Sequence, residues 1–169
     1  MSDEFLTLAT LIGIAHSGVR LATPYLYAAL GEMFGQRSGV LNLGVEGVML
    51  MGAFAAYYAV YLGGDPWLGV LAALATGALM GLLMALISVT MQAEQGISGI
   101  GLTLFGLGLS SLLLKVLVGA PVSVKGFSVW EIPGLSAIPV IGPIFFDHNV
   151  LVYLAYLLAP VSIYVLNRT

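Results

Sequence analysis

Long charge-free runs constrain this chain most. No Asp, Glu, Lys or Arg occurs in residues 47–64 (18 residues), 66–93 (28), 95–114 (20) or 148–167 (20). A helix needs roughly 20 apolar residues to cross the ~30 Å hydrocarbon core of a bilayer. Each run is therefore read as one span, the 28-residue run being one span with slack. Towards the N-terminus, residues 5–34 are too few for two spans and a turn. One crossing is placed over residues 20–34. Ahead of it lies an apolar lead-in, either an interfacial helix or an extension of the same helix. The expected fold is all-α: a polytopic transmembrane helix bundle of about five spans plus an interfacial N-terminal helix, treated as a single domain over residues 1–169. Composition agrees. Only 8% of residues are charged and mean hydropathy is +1.06, whereas a soluble domain carries about 25% charged residues.

Function classes fall away on the same grounds. A net charge of -3 argues against nucleic acid as a partner and leaves membrane lipid as the surrounding medium. Without cysteine there is no disulfide, thiolate zinc site or thiol nucleophile. The opening Met-Ser-Asp-Glu is acidic, unlike the basic start of a signal peptide. No G-x-x-x-x-G-K-[ST], H-E-x-x-H or G-x-S-x-G is present, so neither a P-loop nor those catalytic constellations can be assembled. No catalytic residue, metal ligand or cofactor is assigned. His16 and His148 lack metal-ligand spacing and are read as interfacial or locally hydrogen-bonded. Pro160, inside the last span, is expected to kink it by removing one backbone hydrogen bond.

Connections are short except one. Gly63-Gly64-Asp65-Pro66 has the residue types of a tight turn, and residues 92–98 form a short polar link. Residues 120–148 hold Pro121, Pro133, Pro139 and Pro143, with Trp130, Glu131, Asp147 and His148. They are expected to form an extramembrane loop with a short surface helix, its aromatic residues at headgroup depth.

Two segments concentrate polar residues and glycine. GEMFGQRSGVLNLGVEGVMLMG (residues 31–52) carries Glu32, Arg37, Asn42 and Glu46. Gly31, Gly35 and Gly39 recur every four residues there, and Gly77 and Gly81 share that spacing in a later span. Such spacing bares a strip on which another helix can pack. Gly44 and Gly47 flank Glu46 and weaken the helix start. Backbone freed at membrane depth is tolerated only against protein or a wet cavity. QAEQGISGIGLTLFGLG (residues 92–108) is the second patch, with Ser98 and Gly99. Asn42, Gly44, Glu46, Gly47, Ser98 and Gly99 are thus candidates for a helix break or a substrate path. For Glu46 the alternative is structural: pairing with Arg37, or capping backbone N–H groups together with Asn42. For residues 92–108 it is a loop followed by a packing face.

The run RLATPYLYAALGEMFGQRSGVLNLGVEGVMLMGAFAAY (residues 20–57) resembles ABC importer permeases of the ribose and branched-chain amino acid class. Within that class it is most similar to the nucleoside-uptake permeases that work with basic membrane protein lipoproteins. The match is carried by Arg37-Ser38-Gly39-Val40 and Asn42-Leu43-Gly44-Val45-Glu46-Gly47, and downstream by Pro66-Trp67-Leu68-Gly69, Ile97-Ser98-Gly99 and Gly101-Leu102-Thr103-Leu104. The resemblance implies a multi-pass subunit of the cell membrane forming part of a path for a small solute, a nucleoside on the nearest likeness. Sugar or branched-chain amino acid transport, or a small non-transporting membrane interaction protein, are the alternatives. It implies ABC ATP-binding subunits, a second permease subunit and an external substrate-binding lipoprotein as partners, with any ATP hydrolysis on the ATP-binding subunits. Permeases of this class continue past the fifth span into a cytoplasmic coupling loop and further spans. The chain resembles their N-terminal part and is expected to be truncated. Charge barely orients it. The resemblance places Arg37 and Arg168 on the cytoplasmic side.

Overall fold

The computed structural model describes residues 7–168. The acidic opening, residues 1–4, and Phe5 lie outside the described residues, as does Thr169. In chain order the elements are α1 (Leu8–Arg37), α2 (Val45–Gly63), α3 (Pro66–Ala85) running into a π-helical turn (Leu86–Thr90), α4 (Gln95–Leu117), β1 (Val129–Glu131), α5 (Ile141–Phe145), β2 (Asp147–Asn149) and α6 (Val150–Arg168).

Four helices are long and apolar enough to cross a membrane: α2, Pro66–Thr90, α4 and α6. The 19 residues of α2 reach about 28 Å at 1.5 Å per residue, close to the thickness of the hydrocarbon core. Helix α1 is one unbroken helix of 30 residues, about 45 Å long. The lead-in is thus continuous with the segment expected to make the first crossing, and among the described residues no separate interfacial helix precedes it. Its composition is less apolar than the other four because it carries His16, Arg20, Pro24, Glu32 and Arg37. No more than 22% of any spanning window is buried within the chain. The apolar flanks therefore face something other than this polypeptide, as a lipid-embedded helix requires.

Local signals explain the boundaries. Helix α2 ends at Gly64, whose φ of 69° lies in the left-handed region and whose N–H reaches the Val60 carbonyl at 2.7 Å. Only glycine adopts that conformation freely. Asp65 then caps α3, its carboxylate accepting the Trp67 N–H at 3.0 Å, with Pro66 in the first turn where a missing N–H costs nothing. Glu94 caps α4 by accepting the N–H groups of Gly96 (2.9 Å) and Ile97 (2.5 Å). The polar link before α4 is correspondingly shorter than expected, because Gln95 to Ser98 already form the first helical turn.

The chain forms two compact units, one of residues 31–126 and one of residues 1–30 with 127–169. In the first, Met51, Met80, Met84 and Leu102 form the core, flanked by Val48, Leu83, Leu109 and Leu113. The Tyr57 hydroxyl donates to the Val122 carbonyl (3.0 Å) and accepts its N–H (2.9 Å), fastening the chain beyond α4 to α2. In the second unit, β1 and β2 pair antiparallel with Trp130 opposite His148 and Glu131 opposite Asp147. The Tyr27 hydroxyl donates to the Leu151 carbonyl at 2.7 Å. The long connection thus contains the expected short helix, α5, together with a hairpin that its proline content concealed.

The Ile97 N–H, and after it that of Gly96, hold the Glu94 carboxyl below the usual carboxylate range. The folded state therefore prefers the ionised cap. Its contribution is present above the unfolded carboxylate value of about 4.3 and is lost as pH falls through the lower folded value. Thermal melts in detergent micelles should show wild type losing its margin over Glu94→Gln on acidification from pH 7 to pH 3. Parallel pH curves for the two proteins would show that the cap is not titrating.

Candidate functional site

Between α1 and α2 the chain leaves the helix for residues 38–44, and the two polar glycine segments meet there. A non-helical link beside membrane helices must place each backbone N–H and C=O on a partner. The partners are mostly side chains. Gln95 accepts the Leu41 N–H at 2.7 Å and donates to the Gly39 carbonyl at 3.3 Å. Glu32 accepts the Asn42 N–H at 3.0 Å and is itself held by Gln36 at 3.2 Å. Asn42 turns its own amide oxygen to the Gly44 N–H at 2.9 Å. Thr103 donates to the Leu43 and Gly99 carbonyls (3.3 and 3.2 Å). The Val40 N–H closes back on the Gly35 carbonyl at 3.1 Å. Gly39 makes the turn out of α1 with φ at 86°.

The start of α2 then lies directly against α4. A Cβ on Gly47 would stand 2.5 Å from the Leu102 carbonyl oxygen and 2.7 Å from the Thr103 Cα. One on Gly99 would meet the Leu43 backbone nitrogen at 2.8 Å, and one on Gly106 would run into the Gly47 backbone. These are backbone-to-backbone approaches that any side chain would prevent.

The structure brings Asn42, Gly44, Gly47 and Gly99 together. Among the described residues Ser98 bonds within its own helix start, donating to the Glu94 carbonyl at 2.6 Å. Glu46 is exposed in the first turn of α2. Among the described residues it has no hydrogen-bonding or ionic partner, Arg37 included, and Asn42 spends its side chain on Gly44. A carboxylate there faces the positive end of the α2 dipole. Among the described residues, and apart from chain neighbours and the backbone of its own helical turn, nothing lies within 4 Å of a Cβ placed on Gly31, Gly39, Gly77 or Gly81, and at Gly35 the nearest is the Val40 carbonyl at 3.4 Å. Helix contacts within the chain are made elsewhere, at Gly44, Gly47, Gly69, Gly99 and Gly106.

Gln95, Thr103 and Glu32 were not singled out from the sequence as site residues. One signal was available: Gln95, Gly99 and Thr103 are spaced by four and share one face of α4. No group of three or more His, Asp or Glu capable of holding a metal occurs among the described residues. The arrangement is suited to holding a polar backbone segment at a defined position through exchangeable side-chain bonds.

The family model described as the permease component of the branched-chain amino acid transport system matches residues 14–169. The chain is 39% identical over 158 residues to the guanosine ABC transporter permease protein NupQ of Bacillus subtilis (strain 168), covering 88% of this chain and 50% of that protein. It is 36% identical over 161 residues to the putative glucose ABC transporter permease protein TsgC13 of Haloferax volcanii, covering 93% and 48%. It is 34% identical over 157 residues to the nucleoside ABC transporter permease protein NupC of Lactococcus lactis subsp. cremoris, covering 88% and 50%. The chain spans about half the length of these relatives. No solved structure matches it.

The glycine geometry separates two substitutions of equal size. Gly47→Ala must push α2 from α4 and should cost about 1–3 kcal/mol, the usual range for overpacking. Gly77→Ala meets nothing in the chain and should be neutral or stabilising by up to about 1 kcal/mol through helix propensity. Denaturant unfolding in micelles measures both. Equal effects would mean that the α2–α4 approach is looser than described.

Proposed function

The chain belongs to the permease-component family of the branched-chain amino acid transport system, and on that premise we propose that it forms part of the membrane path of an ABC importer for a nucleoside. It is a multi-pass membrane protein by family and by its apolar helices. Two of the three relatives above carry guanosine or nucleoside in their names, and this carries the choice of solute. A sugar is the second reading, because the putative glucose permease aligns over 93% of the chain. ATP-binding subunits, a second permease subunit and an external substrate-binding lipoprotein complete the proposed machine. The sequence has no P-loop of its own, consistent with that division of labour.

In this reading the residue 38–44 link, with Asn42, Gly44, Gly47, Ser98 and Gly99 around it, lies beside the path. Its bonds run to side chains on α1 and α4, so small movements of those helices exchange partners without stranding a backbone group. Glu46 is the one carboxylate of α2, and its lack of a described partner leaves it free for a solute or a neighbouring subunit. The packing proposed for Gly31, Gly35, Gly39, Gly77 and Gly81 is against chains other than this one. Arg37 and Arg168 are placed on the cytoplasmic side.

Uptake of radiolabelled guanosine, glucose and leucine, compared between cells with the gene and cells deleted for it, tests the reading. Guanosine uptake should fall and the other two should hold. Loss of glucose uptake alone would transfer the conclusion to a sugar, and no loss for any of the three would overturn transport of these solutes. Glu46→Ala should lower uptake at unchanged membrane abundance. Equal uptake at equal abundance would remove Glu46 from the path.

A further inference from the structure

His16 and His148, distant in sequence, meet face to face. Their ring centroids lie 4.3 Å apart with planes 17° from parallel. Each ring also bonds a main-chain carbonyl at the end of the short helix α5: His16 Nδ1 reaches Pro143 O at 2.7 Å, and His148 Nε2 reaches Ile144 O at 2.8 Å. A carbonyl oxygen only accepts, so both of these ring nitrogens carry hydrogen. The neutral pair is thereby assigned as Nδ1–H on His16 and Nε2–H on His148. Together the imidazoles cap two carbonyls that a five-residue helix leaves without internal partners. The His148 bond is local, as expected from the sequence. The His16 bond is not: it ties α1 to the connection before α6.

What these bonds restrain is a strained piece of chain. Val140, immediately before α5, has φ 69° and ψ -55°, and the Ile141 N–H bonds the Pro139 carbonyl across it at 2.8 Å. That is the rarer, strained hand of γ-turn, and a β-branched residue at positive φ is a clear outlier. Such a conformation persists only where its surroundings over-determine it. His148 is itself locked, 2% exposed, with its N–H on the Tyr153 hydroxyl (3.1 Å), which in turn donates to the Trp130 carbonyl (2.8 Å).

We propose that the His16–His148 stack is a proton-sensitive latch that holds α5 and its strained turn against α1 and lets them go on acidification. Imidazole is the side chain that changes charge between about pH 5 and pH 8. One proton leaves both carbonyl bonds intact. A second places two like charges face to face at 4.3 Å, in a site where one ring is almost fully shielded from water. Repulsion between two charged rings at that distance opposes closure, so the latch is strongest at high pH and weakens as pH falls. The surroundings act in both directions. On α1, Arg20 lies one turn from His16 and adds positive charge. On β1 and β2, Glu131 and Asp147 oppose it. From α6 the packed group is the neutral Tyr153, and α5 carries no charge.

The chain has no cysteine, so spin labels can be placed without background. The full chain carrying Ser17→Cys and Ala137→Cys, labelled and held in lipid nanodiscs, would be compared at pH 8 and pH 5 by electron–electron distance spectroscopy. The expected result is a single narrow distance at pH 8 and a second, longer population at pH 5. With His16→Phe added, which keeps a ring in the stack but cannot ionise, the pH 5 population should disappear. An unchanged distance distribution in the His16 protein would overturn the proposal. So would an equal pH response after His16→Phe, which would assign the switch to other groups. The measurement needs no transported solute, so its failure is distinct from failure of the transport reading.

Discussion

A peptide N–H or C=O that leaves a helix beside hydrocarbon has no water to turn to, and the structure of this chain follows from that constraint. Four helices meet it within themselves. Residues 38–44 leave the helix, and there Glu32, Asn42, Gln95 and Thr103 stand in for the missing helical partners. Polar side chains are scarce here, at 8% charged residues. Their concentration around one seven-residue link follows from need, since the helix interiors satisfy their own backbone.

The close approach of α2 and α4 follows from the same link. Thr103 can reach the Leu43 carbonyl because Gly47, Gly99 and Gly106 let the two backbones touch. The glycines and the hydrogen bonds are thus one device: small residues bring the helices near enough for side chains of one to satisfy the main chain of the other. In lipid, where apolar burial drives little helix association, close packing and such hydrogen bonds supply the attraction. The evenly spaced glycines at 31, 35, 39, 77 and 81 look alike in sequence but make no such approach among the described residues. The contact glycines are irregularly spaced because they follow a crossing of two helices, not a repeat along one.

The unit formed by residues 1–30 and 127–169 obeys a different economy. Its connection is held by side chains acting on carbonyls: Tyr27 on Leu151, His16 on Pro143, His148 on Ile144, Ser136 on Ile132 and Phe146. A proline-rich segment has fewer N–H groups to offer and so makes little regular structure of its own. Carbonyls are left in excess, and hydroxyl and imidazole donors answer them.

The sequence by itself determined the all-helical membrane fold, the spans and their turns, and the place where helix α1 would have to stop. Those depend on hydropathy, on Gly64-Asp65-Pro66 and on a local cluster of glycine and polar residues, all of which act over a few neighbours in the chain. It also brought Asn42, Gly44, Gly47 and Gly99 into view, because their residue types are costly in an apolar helix. Only the tertiary structure decided which glycines touch a second helix, that Gln95 and Thr103 serve the link, that β1 finds β2, and that His16 stacks on His148. Each of those contacts joins residues far apart along the chain, and their energies depend on distances of a few ångströms that no local pattern encodes.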